Sequence, residues 1–138
     1  MQQSHKEQLQ HLAERFVEED ASNIIREGDA LRPDLAGMRI YGAPILAVAS
    51  ASDPLFAALR NPAAVGPHFM PPEEWLDGAR SVVSCFLPFC EQVTRANCAE
   101  QSGTPPEWLH ARIEGQLALN CLTRRLRDAC AAPGERAV

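Results

Sequence analysis

The sequence predicts an α/β domain: a small, incomplete open sheet with parallel strands near 45–50 and 81–87, packed with helices near 5–19, 54–60 and 105–131. Three observations carry that expectation. Leu9, Leu12, Ala13, Phe16 and Val17 recur at the spacing of one helix face. Ile45–Ser50 and Ser81–Leu87 are short, nearly continuous apolar runs, which suits strands covered on both faces of a parallel sheet. Thr104-Pro105-Pro106-Glu107 joins a capping hydroxyl, a proline at the first helical position and a first-turn carboxylate ahead of a long apolar-periodic stretch.

Each element has a local reason. Ser4-His5-Lys6-Glu7 fits the capping box, with Ser4 accepting from a free amide and Glu7 reaching back. Ala21–Asp29 reads two ways, since Ile24 and Ile25 suit a longer helix while Asn23 and Gly28 weaken one. Arg32-Pro33 through Tyr41-Gly42 reads as a connection. After the first apolar run, Ser52-Asp53-Pro54 starts a helix with Leu55, Phe56 and Leu59 as its apolar side, and Asn61-Pro62 stops it. Pro72-Glu73-Glu74-Trp75 reads as one more helical turn closed by Gly78, and Pro88 ends the second run. In the last helix Leu109, Ile113, Leu117, Leu119, Leu122 and Leu126 are expected inward. Arg124, Arg125 and Arg127 complement its dipole, and Pro133-Gly134 closes it. Trp75 and Trp108 are each expected to pack a helix start onto the sheet.

Parallel strands would make Asp53–Arg80 a right-handed crossover. Two strands are few where about five is typical, so the chain reads as a fragment or as a layer completed by another chain.

Composition narrows the function classes. The 138 residues have room for a single domain, 1–138, and should bury roughly 68% of the unfolded surface, enough for a core without disulfide staples. Thirteen Lys and Arg against 18 Asp and Glu give a net charge of −5, which disfavours direct nucleic-acid binding. The apolar run Ala43–Ala51 is about half a membrane span, and Met1–Lys6 lacks an apolar signal core, so a cytoplasmic protein without membrane contact is expected. Cys85, Cys90, Cys98, Cys121 and Cys130 form no Cys-x-x-Cys pair, and His5, His11, His68 and His110 are widely separated, so no metal site is expected.

No Gly-rich phosphate loop and no Gly-x-Ser-x-Gly elbow occurs, and no catalytic residue is assigned. Ligands of open parallel sheets collect outside the strands' carboxyl ends. Those ends carry Ser50, Ser52 and Asp53 from the first strand, and Phe89, Cys90 and Glu91 from the second. The same residues also read as a turn, a helix cap and core lining. Cys90 is the thiol expected to be most exposed, without a cationic neighbour to activate it.

Several segments together resemble the N-terminal region of epoxyqueuosine reductase-like iron–sulfur proteins. They are Pro44–Ala49 followed by Asp53-Pro54-Leu55-Phe56, then Pro72–Leu76, then Ala79–Phe89, and the helix segment Glu107–Gln116. The resemblance runs from about Asn23 to Val138. It implies a cobalamin-dependent reductase with two 4Fe–4S clusters, whose N-terminal part binds the corrinoid and whose characterised members reduce epoxyqueuosine in transfer RNA. The family's cluster-binding cysteine runs have no match here, so the chain alone is expected to carry neither clusters nor turnover. Its expected partner is the remainder of the enzyme, or a second copy at the sheet edge. A stand-alone binding or regulatory module of the same fold is the alternative.

Overall fold

The computed structural model describes residues 4–131 and 134–138. Residues Met1–Gln3, part of the stretch read for a signal core, and Pro133, read as a helix stop, lie outside them.

The expected capping box forms at the start of α1 (His5–Glu19). Glu7 N–H donates to Ser4 Oγ at 3.3 Å and Ser4 N–H to Glu7 Oε2 at 2.8 Å. Leu9, Ala13, Phe16 and Val17 are buried, as their spacing predicts. Leu12 is only partly buried, packed at the rim of the same core.

Helix α1 ends at Glu19, and short 3-10 turns at Ala21–Asn23, Glu27–Asp29 and Pro33–Leu35 follow. The chain from 25 to 38 forms an arch whose feet are tied together. Ile25 N–H donates to Met38 O at 2.9 Å, and Gly37 N–H returns to Ile25 O at 2.8 Å with Gly37 at φ +81°. A left-handed backbone of this kind favours glycine.

The two apolar runs are neighbouring strands, β1 (Ile45–Ser50) and β2 (Ser81–Phe86), but they pair antiparallel, with Ile45 opposite Phe86 and Ser50 opposite Ser81. This corrects the parallel expectation. The connection holds only α2 (Pro54–Ala58) and α3 (Pro72–Trp75), five and four residues long. At 1.5 Å per residue neither spans a strand of roughly 20 Å, so the chain returns at the end it left. Ala51 N–H donates to Arg80 O at 3.0 Å and closes that end of the ladder. The strands are not covered on both faces either, since Leu46 is the one buried residue of β1.

Helix α4 (Glu91–Ala99) was not expected. Only Val93 is buried in it. Helix α5 (Pro106–Cys130) starts within one residue of the expected place, but Pro105 is its N-cap and no side chain caps it, so the expected Thr104 cap does not form and Pro106 is the first residue. Its inward face agrees with expectation at Leu122 and Leu126 and differs nearer its start. Glu107, His110, Ala111, Gly115, Ala118, Leu122 and Leu126 are buried, while Leu109, Ile113 and Leu117 are exposed.

Small residues face inward there because the packed backbone comes close. A Cβ on Gly115 would lie 3.0 Å from Tyr41 Oη and 3.2 Å from Ile40 Cγ2. Trp75 is also exposed, contrary to expectation, its indole donating to Met70 O at 3.2 Å. Trp108 does pack inward, edge-on to Phe89 at 5.3 Å between ring centres. The core thus lies between α1, the arch and α5, with the inner face of β1–β2 at its margin.

Candidate functional site

Antiparallel pairing separates the residues expected at one sheet end. Ser50, Ser52 and Asp53 follow β1 at the Ser50–Ser81 end, whereas Phe89, Cys90 and Glu91 follow β2 at the Ile45–Phe86 end. Six residues of strand, roughly 20 Å, lie between the two groups. Each group makes local bonds. Ser50 Oγ and Ser52 Oγ are 2.9 Å apart, and Asp53 Oδ1 caps α2 by accepting from Leu55 N–H at 2.9 Å.

At the other end Phe89 stacks on Tyr41, 5.3 Å between centres and 12° between planes. Cys90 N–H donates to Ile40 O at 2.8 Å, and Glu91 pairs with Arg95 at 2.6 Å. Cys90 is half-buried, while the exposed thiol is Cys98 on α4.

A different feature has the dimensions of a site. A recess of about 910 Å³ lies beneath the inner face of the ribbon. Val48, Val83 and Cys85 line it from the strands, Leu9 from α1, and Leu119 and Leu122 from α5. That volume is at the upper end of the roughly 300–1,000 Å³ usual for small-molecule and cofactor pockets. Lys6, Arg80, Arg127 and Arg136 stand on its rim with Asp77 and Glu135. Most of these charges are engaged: Arg80 holds both Glu135 oxygens at 2.6 and 2.7 Å, and Arg136 donates to Asp77 O at 2.5 Å. Burial pushes the thiols of Cys85 and Cys130, both in this recess, above the ordinary range. They therefore stay protonated near neutrality and are poor nucleophiles.

The ribbon's two outer edges differ. At the β1 side, the Gln10 side-chain amide substitutes for a neighbouring strand, donating to Pro44 O at 3.0 Å and accepting from Leu46 N–H at 3.1 Å. Asn23, fully buried, does the same one turn of chain earlier, accepting from Tyr41 N–H at 2.9 Å and donating to Tyr41 O at 3.2 Å. Along β2, Arg80 O faces β1, so by alternation Ser81, Val83 and Cys85 direct their backbone groups outward. Among the described residues no strand pairs with them. The outer face of the ribbon is also bare: Ile45 and Phe86, cross-strand partners, are 62% and 61% exposed.

A buried polar stripe on α5 was missed from the sequence. Arg32 of the arch bridges Asp34 at 3.0 Å and Glu107 at 2.5 Å, which holds its guanidinium charge more firmly than usual, Asp34 contributing first. One turn on, His110 Nε2 accepts from Leu31 N–H at 3.1 Å, and its Nδ1 lies 3.2 Å from Glu114 Oε2. The spacing of His110 and Glu114, four residues on a helix, was the available signal.

Among the described residues no group of three or more His, Cys, Asp or Glu could hold a metal ion, and no helix is long and apolar enough to cross a membrane. Compared with known proteins, the chain matches no family model, no curated protein and no solved structure.

Proposed function

We propose that this chain is the N-terminal, corrinoid-side portion of an epoxyqueuosine reductase-like oxidoreductase, without turnover by itself. The observation that carries this reading is the two-stranded ribbon: an apolar sheet with a bare face and a β2 edge that no strand pairs with among the described residues. Apolar strand edges of this kind are ordinarily paired or covered. The remainder of such an enzyme, or a second copy, is the partner that would complete the layer.

Of the two groups the resemblance implies, iron–sulfur clusters do not fit these residues, because the described cysteines, histidines and carboxylates form no metal-holding group. The corrinoid fits in kind. Val48, Val83 and Leu119 would seat its ring, with Lys6 and Thr123 at its polar margin. Bound there, it would supply cobalt-centred reduction. This chain's own part is to bury the ring and exclude water.

Titration of the purified chain with cob(II)alamin, followed by absorption, tests the reading. Saturable corrinoid uptake with no iron–sulfur colour is the expected result. A colourless protein that takes up no corrinoid would favour the stand-alone binding module instead.

A further inference from the structure

We propose that His110 is an acid-released latch holding the 25–38 arch against α5. The ring is 2% exposed, and its Nε2 accepts the Leu31 amide at 3.1 Å. A nitrogen that accepts a hydrogen bond carries no proton, so the neutral ring bears its proton on Nδ1, which faces Glu114 Oε2 at 3.2 Å. Protonation at Nε2 turns the acceptor into a donor and sets it against the Leu31 N–H. The bond between arch and helix is then replaced by repulsion between two donors.

The charged groups around the ring decide where the strain goes. From α5 these are Glu107 and Glu114, and from the arch Arg32 and Asp34. Glu114 Oε2 is buried and, although it lies 3.2 Å from Nδ1, makes no well-aligned hydrogen bond, so charging the ring strengthens its attraction to that carboxylate. The proton therefore moves His110 from a shared bond with the arch to a charge pair within α5. The helix keeps its place and the arch backbone at Leu31 lets go. Arg32 can hold Glu107 meanwhile, because its side chain is long and 44% exposed. A change from pH 8 to pH 5 spans the range in which imidazole side chains ordinarily gain their proton.

Amide hydrogen exchange at Leu31, corrected for the intrinsic effect of pH, tests this. Protection at Leu31 should fall by about tenfold or more from pH 8 to pH 5, while Ala118 and Leu122 on α5 keep theirs. In His110→Gln the carboxamide oxygen can accept the Leu31 amide at either pH, so protection should persist without the step. Equal Leu31 protection at both pH values in the unaltered chain would overturn the proposal, and so would an unchanged step in His110→Gln.

Discussion

The backbone edge from Tyr41 to Leu46 and the edge of β2 present the same chemical problem and meet it in opposite ways. At the first, the amides of Asn23 and Gln10 stand in for an absent strand, bonding the peptide groups of Tyr41, Pro44 and Leu46. At the second, no side chain among the described residues performs this service, and no charge interrupts Ser81–Leu87 to discourage another strand. An edge closed by its own side chains belongs to a finished surface. An edge left apolar and open is one that another strand could pair with.

Substitutions on the two sides should separate accordingly, with the largest effect at Asn23. Its amide makes three bonds, to Val17 O and to both backbone groups of Tyr41, and none of its surface is exposed. Asn23→Leu keeps the volume and strands these groups away from water. Unmade buried bonds of this kind cost ~1–3 kcal/mol each, so a loss of about 3 kcal/mol is expected in urea unfolding. Retained stability would show that water or a shifted backbone replaces the amide, and the contrast between the edges would weaken.

The next effect concerns how α5 approaches the closed edge. Gly115→Ala places a methyl 3.0 Å from Tyr41 Oη, where it displaces the hydroxyl from Gly115 O, its 3.0 Å acceptor. Overpacking of this order costs about 1–3 kcal/mol, against which the helix gains under 1 kcal/mol in propensity. A net loss of about 1–2 kcal/mol should appear as a lower unfolding midpoint. Pairing with Tyr41→Phe sharpens the test, since removing the hydroxyl should recover part of that loss.

These contrasts also mark what the sequence could reveal. The starts of α1, α2 and α5 were legible because Ser4, Asp53 and Pro106 act on their own first turns, a contest settled within four residues. The apolar runs located both strands, but a run carries no direction. Orientation depended on whether the intervening segment could span the sheet, and α2 and α3 are too short. The expected grouping at one sheet end went with the orientation, because Ser50 and Phe89 share a sheet end only if the strands run parallel. The inward face of α5 was misread for a related reason. Leucines at helical spacing mark an apolar stripe, whereas burial followed the small residues Ala111, Gly115 and Ala118, which admit the backbone of Ile40 and Tyr41. Asn23 and Gln10 gave no warning, since an amide that replaces a strand looks like any polar residue until its partners are in place.

The smallest effect in this chain is expected on the open ribbon, and its smallness is informative. Ile45→Thr with Phe86→Thr preserves β-propensity while removing the largest apolar groups from the bare face. Both side chains are already in water, so the double substitution should change stability by less than about 0.5 kcal/mol and should lower dye binding to exposed apolar surface. Within a longer polypeptide that covers this face, the same pair should cost several-fold more, because burying a large apolar side chain contributes roughly 1.5–3 kcal/mol. Measuring the pair in both contexts separates two meanings of an exposed phenylalanine. A larger cost in the longer protein identifies this face as interior to a completed sheet. An equally small cost in both would leave the ribbon as surface and remove the observation on which the oxidoreductase reading rests.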